Sequence, residues 1–81
     1  MHIQIYSKAG CTYCTAAARL AAQVVREASQ QNHSYDKYML DQDFTREQLL
    51  EKFPTAKTFP QITIDGMPIG GYNEFERYIN G

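Results

Sequence analysis

The sequence predicts an α/β fold: a four-stranded mixed sheet with helices on both faces, in the element order β-α-β-α-β-β-α. Strand and helix patterns alternate in the first half, which predicts a parallel strand pair joined by a right-handed crossover. A two-residue hairpin signal, Asp65-Gly66, adds an antiparallel pair near the end of the chain. The length of 81 residues allows one domain, which we expect to span residues 1–81.

The first half of the chain contains two predicted strands and one long predicted helix. Residues 2–7 alternate in hydropathy and are rich in strand formers, so they predict strand one. From Thr12 the apolar residues follow a helical period, and this helix should end near residues 29–31. Its apolar stripe consists of Ala17, Leu20, Ala21, Val24 and Ala28. Residues 35–40 predict strand two.

A short second helix follows a polar break. Thr45 or Asp43 is its predicted N-cap, and Pro54 should stop it. Its predicted apolar anchors are Phe44, Leu49, Leu50 and Phe53.

The last third predicts a hairpin and a closing helix. Residues 61–64 form its first strand and residues 67–69 the returning strand, where Pro68 marks a sheet edge. Asn73 is the predicted N-cap of a helix that runs to about Asn80. The side chains expected to face inward are Phe75, Tyr78 and Ile79.

Composition and charge exclude several functional classes. Apolar residues make up 43% and charged residues 21%, as in soluble globular proteins. The net charge of −1 and the lack of a basic run argue against a nucleic-acid partner. Charged and polar residues interrupt the apolar stretch at 15–28, so no membrane span is expected. The first residues do not resemble a signal peptide, and we expect a cytoplasmic protein.

Both cysteines fall in one motif, Cys11-Thr12-Tyr13-Cys14. In an intracellular chain this spacing suits either half of a metal site or a redox dithiol. Cys11 lies where a turn meets a helix start, and the helix dipole together with Lys8 would stabilise a thiolate there. Cys11 is therefore the predicted attacking sulfur, and Cys14, buried one turn later, would resolve a mixed disulfide.

Two other uses of the cysteines are disfavoured. A zinc site needs imidazoles that converge on the thiols, whereas His2 and His33 fall at the far ends of strand one and helix one. An inert structural pair is a poor use of a helix N-terminus. We therefore expect no bound metal.

Two further segments carry possible binding groups. The segment Thr58-Phe59-Pro60 could be an ordinary strand start in trans, but beside a dithiol we expect a cis bond. That turn would leave the backbone of Phe59 able to pair with an extended peptide. The segment from Gly70 to Glu74 bends into a helix N-terminus that can bind a carboxylate, although a tight turn explains its glycines equally well.

The motifs together resemble those of dithiol glutaredoxins of the short bacterial or phage-like type, over essentially the whole chain. The matching segments are Tyr6-Ser7-Lys8 before the dithiol, Thr58-Phe59-Pro60 before Gln61-Ile62, the Asp65-Gly66 turn, and Ile69-Gly70-Gly71. The resemblance implies a thioredoxin-like fold and a glutathione-dependent thiol-disulfide oxidoreductase that acts as an electron carrier. It also implies glutathione as co-substrate and no tightly bound cofactor.

The resemblance further implies a glutathione site. Lys8 and Lys57 would face the glycine carboxylate, and Tyr13 would line the cysteinyl sulfur. Asn73 and Glu74 stand where the family commonly has two aspartates that grip the γ-glutamyl end. The complete implied set is Lys8, Tyr13, Lys57, Thr58, Phe59, Pro60, Gly71, Tyr72, Asn73 and Glu74.

The expected partners are glutathione and disulfide-bearing or glutathionylated proteins, with ribonucleotide reductase as a family-level example, and we expect a monomer. Two alternatives stay open. One is a redoxin that takes electrons from thioredoxin reductase and feeds ribonucleotide reductase, although Tyr13 and Gly70-Gly71 favour a glutaredoxin. The other is a dimer that binds a glutathione-ligated iron–sulfur cluster, because Thr12 replaces the proline that is commonest there.

Overall fold

Four strands form one mixed sheet in the computed structural model, which describes residues 1–28 and 32–81. The strands are β1 (His2–Ser7), β2 (Ser34–Met39), β3 (Gln61–Ile64) and β4 (Met67–Gly70). Their order across the sheet is β2-β1-β3-β4. β1 pairs parallel with β2 and antiparallel with β3, and β3 pairs antiparallel with β4. This arrangement confirms the predicted mixed sheet.

Three helices connect or follow these strands in the described part of the chain: α1 (Thr12–Glu27), α2 (Arg46–Lys52) and α3 (Tyr72–Asn80). α1 begins at Thr12, as predicted, and Ala28 follows it as the C-cap. The predicted end near residues 29–31 lies outside the described residues. None of the described helices is both long and apolar enough to cross a bilayer.

The sheet carries a separate apolar cluster on each face, because successive side chains of a strand point to opposite sides. On one face Ile3 and Ile5 are fully buried with residues of α1 and α3. The complete buried set there is Ile3, Ile5, Ala17, Ala21, Ile62, Ile64 and Phe75. On the other face Tyr6 packs with Phe44, Leu49 and Phe53, around α2. The predicted placement of helices on both faces is therefore confirmed.

Tyr6 is the main aromatic residue of the second cluster. Its ring centroid lies 5.2 Å from that of Tyr38, 5.2 Å from that of Phe44 and 5.5 Å from that of Phe53. Burial, with a smaller contribution from Tyr38, raises the pKa of the Tyr6 phenol above its usual 10.0. The phenol therefore stays neutral at physiological pH and adds no charge to this face of the sheet.

The hairpin signal is confirmed in detail. Asp65 and Gly66 have φ angles of 51° and 83°, the left-handed pair that a two-residue turn between twisted strands requires. Pro68 lies on β4, at the edge of the sheet, where its missing N–H costs no ladder hydrogen bond. The strand runs one residue further than predicted, to Gly70.

The predicted strand two, residues 35–40, was wrong by one residue at each end. Parallel pairing with β1 aligns His2 with Ser34 and Ser7 with Met39, so the strand starts earlier. Leu40 has already left the sheet and forms an isolated bridge with Phe44.

Two predicted core residues are wrong. Leu50 is 41% exposed and Tyr78 is 58% exposed. Leu49 of α2 and the C-cap residue Phe53 pack with Tyr6 of the sheet, and because they are four residues apart they lie on the same side of the helix. The next position along, Leu50, turns toward solvent. Tyr78 is turned outward in the same way, beside the inward stripe of α3.

The N-cap of α2 is Thr45 rather than Asp43. The Thr45 hydroxyl accepts a hydrogen bond from the Gln48 backbone N–H at 3.1 Å. The Gln48 side chain in turn accepts one from the Thr45 N–H at 2.8 Å, which completes a capping box. Asp43 instead accepts a hydrogen bond from the Met39 N–H at 2.8 Å.

Replacing the cap should destabilise the protein. We expect Thr45→Ala to lower the free energy of unfolding by about 1 kcal/mol, because the Gln48 N–H at the start of α2 loses the hydroxyl that accepts its hydrogen bond. Urea unfolding followed by circular dichroism measures this. Thr55→Ala is the matched control, since Thr55 is exposed and lies outside every helix and strand. An equal loss in both variants would contradict the capping role.

Candidate active site

The two cysteines form a disulfide at the start of α1, with their Cα atoms 5.2 Å apart. Cys11 is the N-cap residue, in an extended conformation, and its Sγ accepts a hydrogen bond from the Cys14 backbone N–H at 3.1 Å. Cys11 is partly exposed, whereas Cys14 is only 1% exposed. The sulfur of Cys11 is therefore the one that a substrate can approach from outside.

The surroundings of Cys11 favour negative charge on its sulfur. The N-terminus of α1 points unpaired N–H groups toward it, and the first turn of this helix contains no acidic residue. Lys8, from the turn after β1, lines the same cavity as Cys11. After reduction these groups would stabilise a thiolate.

The cis bond expected between Phe59 and Pro60 is present. Pro60 is fully buried, and the Thr58 carbonyl accepts a hydrogen bond from the Gln61 side chain at 2.8 Å. Within the described residues, the backbone N–H and C=O of Phe59 take part in no hydrogen bond. The loop is thus anchored on both sides, with a backbone donor and acceptor left for a ligand.

A cavity of about 240 Å³, which we call the aromatic cavity, lies between this loop, the start of α3 and Tyr13. Tyr13 and Tyr72 both line it, and their rings pack against each other at a tilt of 35°, with centroids 5.8 Å apart. Its lining consists of Tyr13, Thr58, Phe59, Pro60, Gly71, Tyr72, Asn73 and Glu74. These are all of the predicted glutathione-site residues except the two lysines.

Lys8 and Lys57 line two other cavities. Lys57 belongs to a cavity bounded by the end of α2 and by Pro68, on β4. The Nζ atom of Lys8 lies 5.6 Å from the centroid of the Phe59 ring, within range of a cation–π contact. Both lysines thus adjoin the Phe59 loop, but the structure does not bring them together in one pocket.

Cys11 also lines a cavity of about 380 Å³ that the sequence patterns did not predict; we call it the lysine cavity. Besides Cys11 and Lys8, its walls include Lys37 and Met39 from β2. In the sequence Lys37 only weakened a strand pattern. The signal that could have found it is parallel pairing, which brings the ends of β1 and β2 to the same edge of the sheet.

The structure gives no support to a zinc site. His2 lies 2.6 Å from the Ser34 hydroxyl and 3.1 Å from an Asp36 carboxylate oxygen. The Nδ1 atom of His33 lies 2.6 Å from the N-terminal amine of Met1. Both rings are at the start of β1, the length of a strand from the dithiol. Residues 1–28 and 32–81 contain no group of three His, Cys, Asp or Glu side chains that could hold a metal ion.

Comparison with known proteins identifies the family. The family model for glutaredoxin matches residues 3–69. The chain belongs to the glutaredoxin family. With the disulfide between Cys11 and Cys14, membership makes this glutaredoxin a thiol-disulfide oxidoreductase.

The relatives of this glutaredoxin cover nearly its full length. It is 31% identical over 80 residues to glutaredoxin 1 of Escherichia coli strain K12, covering 98% of this chain and 93% of that protein. It is 34% identical over 77 residues to a glutaredoxin of Haemophilus influenzae, covering 94% and 87%. Reduced Escherichia coli glutaredoxin has a TM-score of 0.81 at 31% identity, covering 98% and 93% of the two chains. Glutaredoxin 1 of Francisella tularensis, solved with cacodylate, has a TM-score of 0.65 at 27% identity, covering 98% and 92%. These similarities confirm the thioredoxin-like fold.

The start of α3 in this glutaredoxin differs from the prediction. Its N-cap is Gly71 and not Asn73, which is the second residue of the helix. The cap is supplied from inside the helix, because Glu74 Oε1 accepts a hydrogen bond from the Gly71 N–H at 2.8 Å. Glu74 Oε2 also pairs with Arg77 at 3.3 Å. The Glu74 carboxylate is thus already engaged at the edge of the aromatic cavity.

The exposure of the two sulfurs predicts selective alkylation. In the reduced protein, iodoacetamide at about pH 6 should modify Cys11 faster than it modifies free cysteine, because the start of α1 stabilises the thiolate. Cys14 should be spared, since it is buried. Peptide mass mapping after a short exposure measures both sites. Modification of Cys14 first, or of both at equal rates, would contradict the assignment.

Proposed function

We propose that this protein uses glutathione to reduce protein disulfides and glutathione mixed disulfides. The observation that carries the proposal is the aromatic cavity next to the dithiol, lined by Tyr13, the Phe59 loop and the start of α3. It combines an unpaired backbone segment, two aromatic rings and a helix N-terminus, which suit the backbone, the apolar part and a carboxylate of a small peptide.

The peptide would lie extended along the Phe59 backbone, as an added strand. Its γ-glutamyl carboxylate would meet the N–H groups of Tyr72 and Asn73 in the first turn of α3, which have no partner inside the helix. Tyr13 would line its sulfur. Lys8 and Lys57, on either side of the loop, are the proposed cations for the glycine carboxylate.

The proposed reaction starts with the thiolate of Cys11. It attacks one sulfur of the substrate disulfide, a new S–S bond forms, and the other sulfur leaves as a thiolate that takes a proton from water. Either Cys14 or a glutathione thiolate then attacks the mixed disulfide at Cys11. When Cys14 resolves it, the Cys11–Cys14 disulfide forms, as seen in the structure, and two glutathione molecules return it to the dithiol with release of glutathione disulfide.

We further propose that the protein acts as a monomer in the cytoplasm, where the glutathione pool is reduced. Its partners would be glutathione and disulfide-bearing or glutathionylated proteins. Ribonucleotide reductase is one such partner that the family resemblance implies.

A coupled assay tests the source of electrons. With glutathione, NADPH, glutathione reductase and a glutathionylated peptide, the protein should form glutathione disulfide, which the reductase reduces with continuous oxidation of NADPH, because the aromatic cavity can hold glutathione beside the dithiol. A parallel assay replaces glutathione and its reductase with thioredoxin reductase. Turnover only in the second assay would overturn the proposal and indicate a redoxin fed by thioredoxin reductase.

Substituting each cysteine separates the two resolving routes. We expect Cys11→Ser to abolish all activity, because it removes the accessible sulfur. Cys14→Ser should keep much of the deglutathionylation, which a second glutathione can complete, and should lose the dithiol route to protein disulfides. Circular dichroism controls for folding. A folded Cys14→Ser protein that is inactive in deglutathionylation would show that the two roles are misassigned.

A further inference from the structure

The lysine cavity is a second binding surface at the reactive sulfur. Cys11 lies in its wall, and Lys8 and Lys37 contribute side chains from the turn after β1 and from β2. The remaining lining includes Thr12, Thr15 and Met39, and no acidic side chain. The cavity of about 380 Å³ is larger than the aromatic cavity, at about 240 Å³.

The positive charge of this cavity is not balanced locally. Among the described residues, neither Lys8 nor Lys37 lies within 4.0 Å of a carboxylate. The chain as a whole has a net charge of −1, so this local charge is not a general property of the surface. The aromatic cavity contains a carboxylate, Glu74, and no lysine. The two cavities beside the dithiol therefore differ in charge, and this can select what binds in each.

A polypeptide substrate can extend from Cys11 across the lysine cavity to Lys37, whereas a small peptide seated along the Phe59 loop would meet this cavity only at Lys8. Chain extends on both sides of a substrate cysteine and advances roughly 3.3 Å with each residue. Residues next to a cysteine that has reacted with Cys11 can therefore reach the lysine cavity, because Cys11 lies in its wall.

We propose that the lysine cavity binds acidic residues that flank the reactive cysteine of a polypeptide disulfide. This inference rests on the proposed reduction of protein disulfides, and it names the class of substrate that is preferred. Lys37 is the residue that sets the preference, because it lines the lysine cavity and not the aromatic cavity, whereas the Lys8 amine also lies over the Phe59 ring.

The preference acts on the first chemical step. The Cys11 thiolate attacks the sulfur of the substrate cysteine and displaces its disulfide partner as a thiolate. Cys14 then attacks Cys11 and releases the peptide as a thiolate, which takes a proton from water. Two electrons pass from the dithiol to the substrate, and the cavity binds the flanking carboxylates while the first S–S bond forms.

Two peptides with the same central cysteine test the proposal. One has acidic residues on both sides and the other has glycine and serine, and each cysteine carries a disulfide to 5-thio-2-nitrobenzoate. The pre-reduced protein reacts once with each peptide, without glutathione, and the coloured thiolate is followed by absorbance. This thiolate is the better leaving group, so attack occurs at the peptide sulfur.

We expect the protein to react about three- to fivefold faster with the acidic peptide at low ionic strength, and the ratio should fall toward one in about 1 M salt. Lys37→Gln should reduce the ratio, and Lys37→Glu should abolish or invert it. Arg26→Glu is the control: it makes the same change in charge about 20 Å away, at the other end of α1, and should leave the ratio unchanged.

A ratio near one in the unmodified protein would overturn the proposal and make Lys37 an ordinary surface lysine. An equal slowing of both peptides by Lys37→Glu would overturn it too, as would loss of the ratio in Arg26→Glu. Because the measurement contains no glutathione, it stands even if the coupled glutathione assay fails. A positive coupled assay with a ratio near one would remove only the substrate preference.

Discussion

The packing of α1 against β1 is the interaction on which the active site depends. Ile3 and Ile5 of the strand are fully buried against a face of the helix that includes Ala17 and Ala21. Small alanine side chains let the helix lie close to the sheet, so its first turn is held just beyond the end of β1. Cys11 is the N-cap of that turn, so the packing of the core determines where its sulfur lies. Loss of this packing would separate the dithiol from the groups that surround it.

Two cavities of different character open beside the dithiol. The aromatic cavity lies between Tyr13, the Phe59 loop and the start of α3, and the buried Pro60 anchors the loop. The lysine cavity is formed by the edge strand β2 and the turn before Cys11. An edge strand is the sheet's most accessible backbone, and lysines there also discourage pairing with other chains. The charge of Lys37 on this edge strand is also available to bind a substrate. The same residue can therefore favour both the solubility of the protein and, in the proposal above, its substrate selectivity.

The length of the Glu74 side chain decides the hydrogen bonding at the start of α3. Glu74 is long enough to reach back to the Gly71 N–H, and it packs over Gly70. Gly70 has a φ of 116°, and an added Cβ there would lie 2.9 Å from Glu74 Cγ, so only glycine fits. With the Glu74 carboxylate engaged in this cap, the proposed glutathione site would bind a carboxylate through the N–H groups of the first turn of α3.

Local sequence patterns were enough to predict the order of strands and helices, the hairpin at Asp65 and Gly66, and the position of the dithiol at a helix start. These depend on hydropathy period, turn residues and caps, which act between neighbours in the chain. The predicted cap of α3 was wrong because the Glu74 side chain accepts a hydrogen bond from the Gly71 N–H, one residue before the helix. The predicted burial of Leu50 was wrong because it depends on which face of a short helix meets the sheet. That Lys37 lines the same cavity as Cys11 could not be predicted from local patterns, since it depends on the parallel register of β1 with β2, which joins distant segments of the chain.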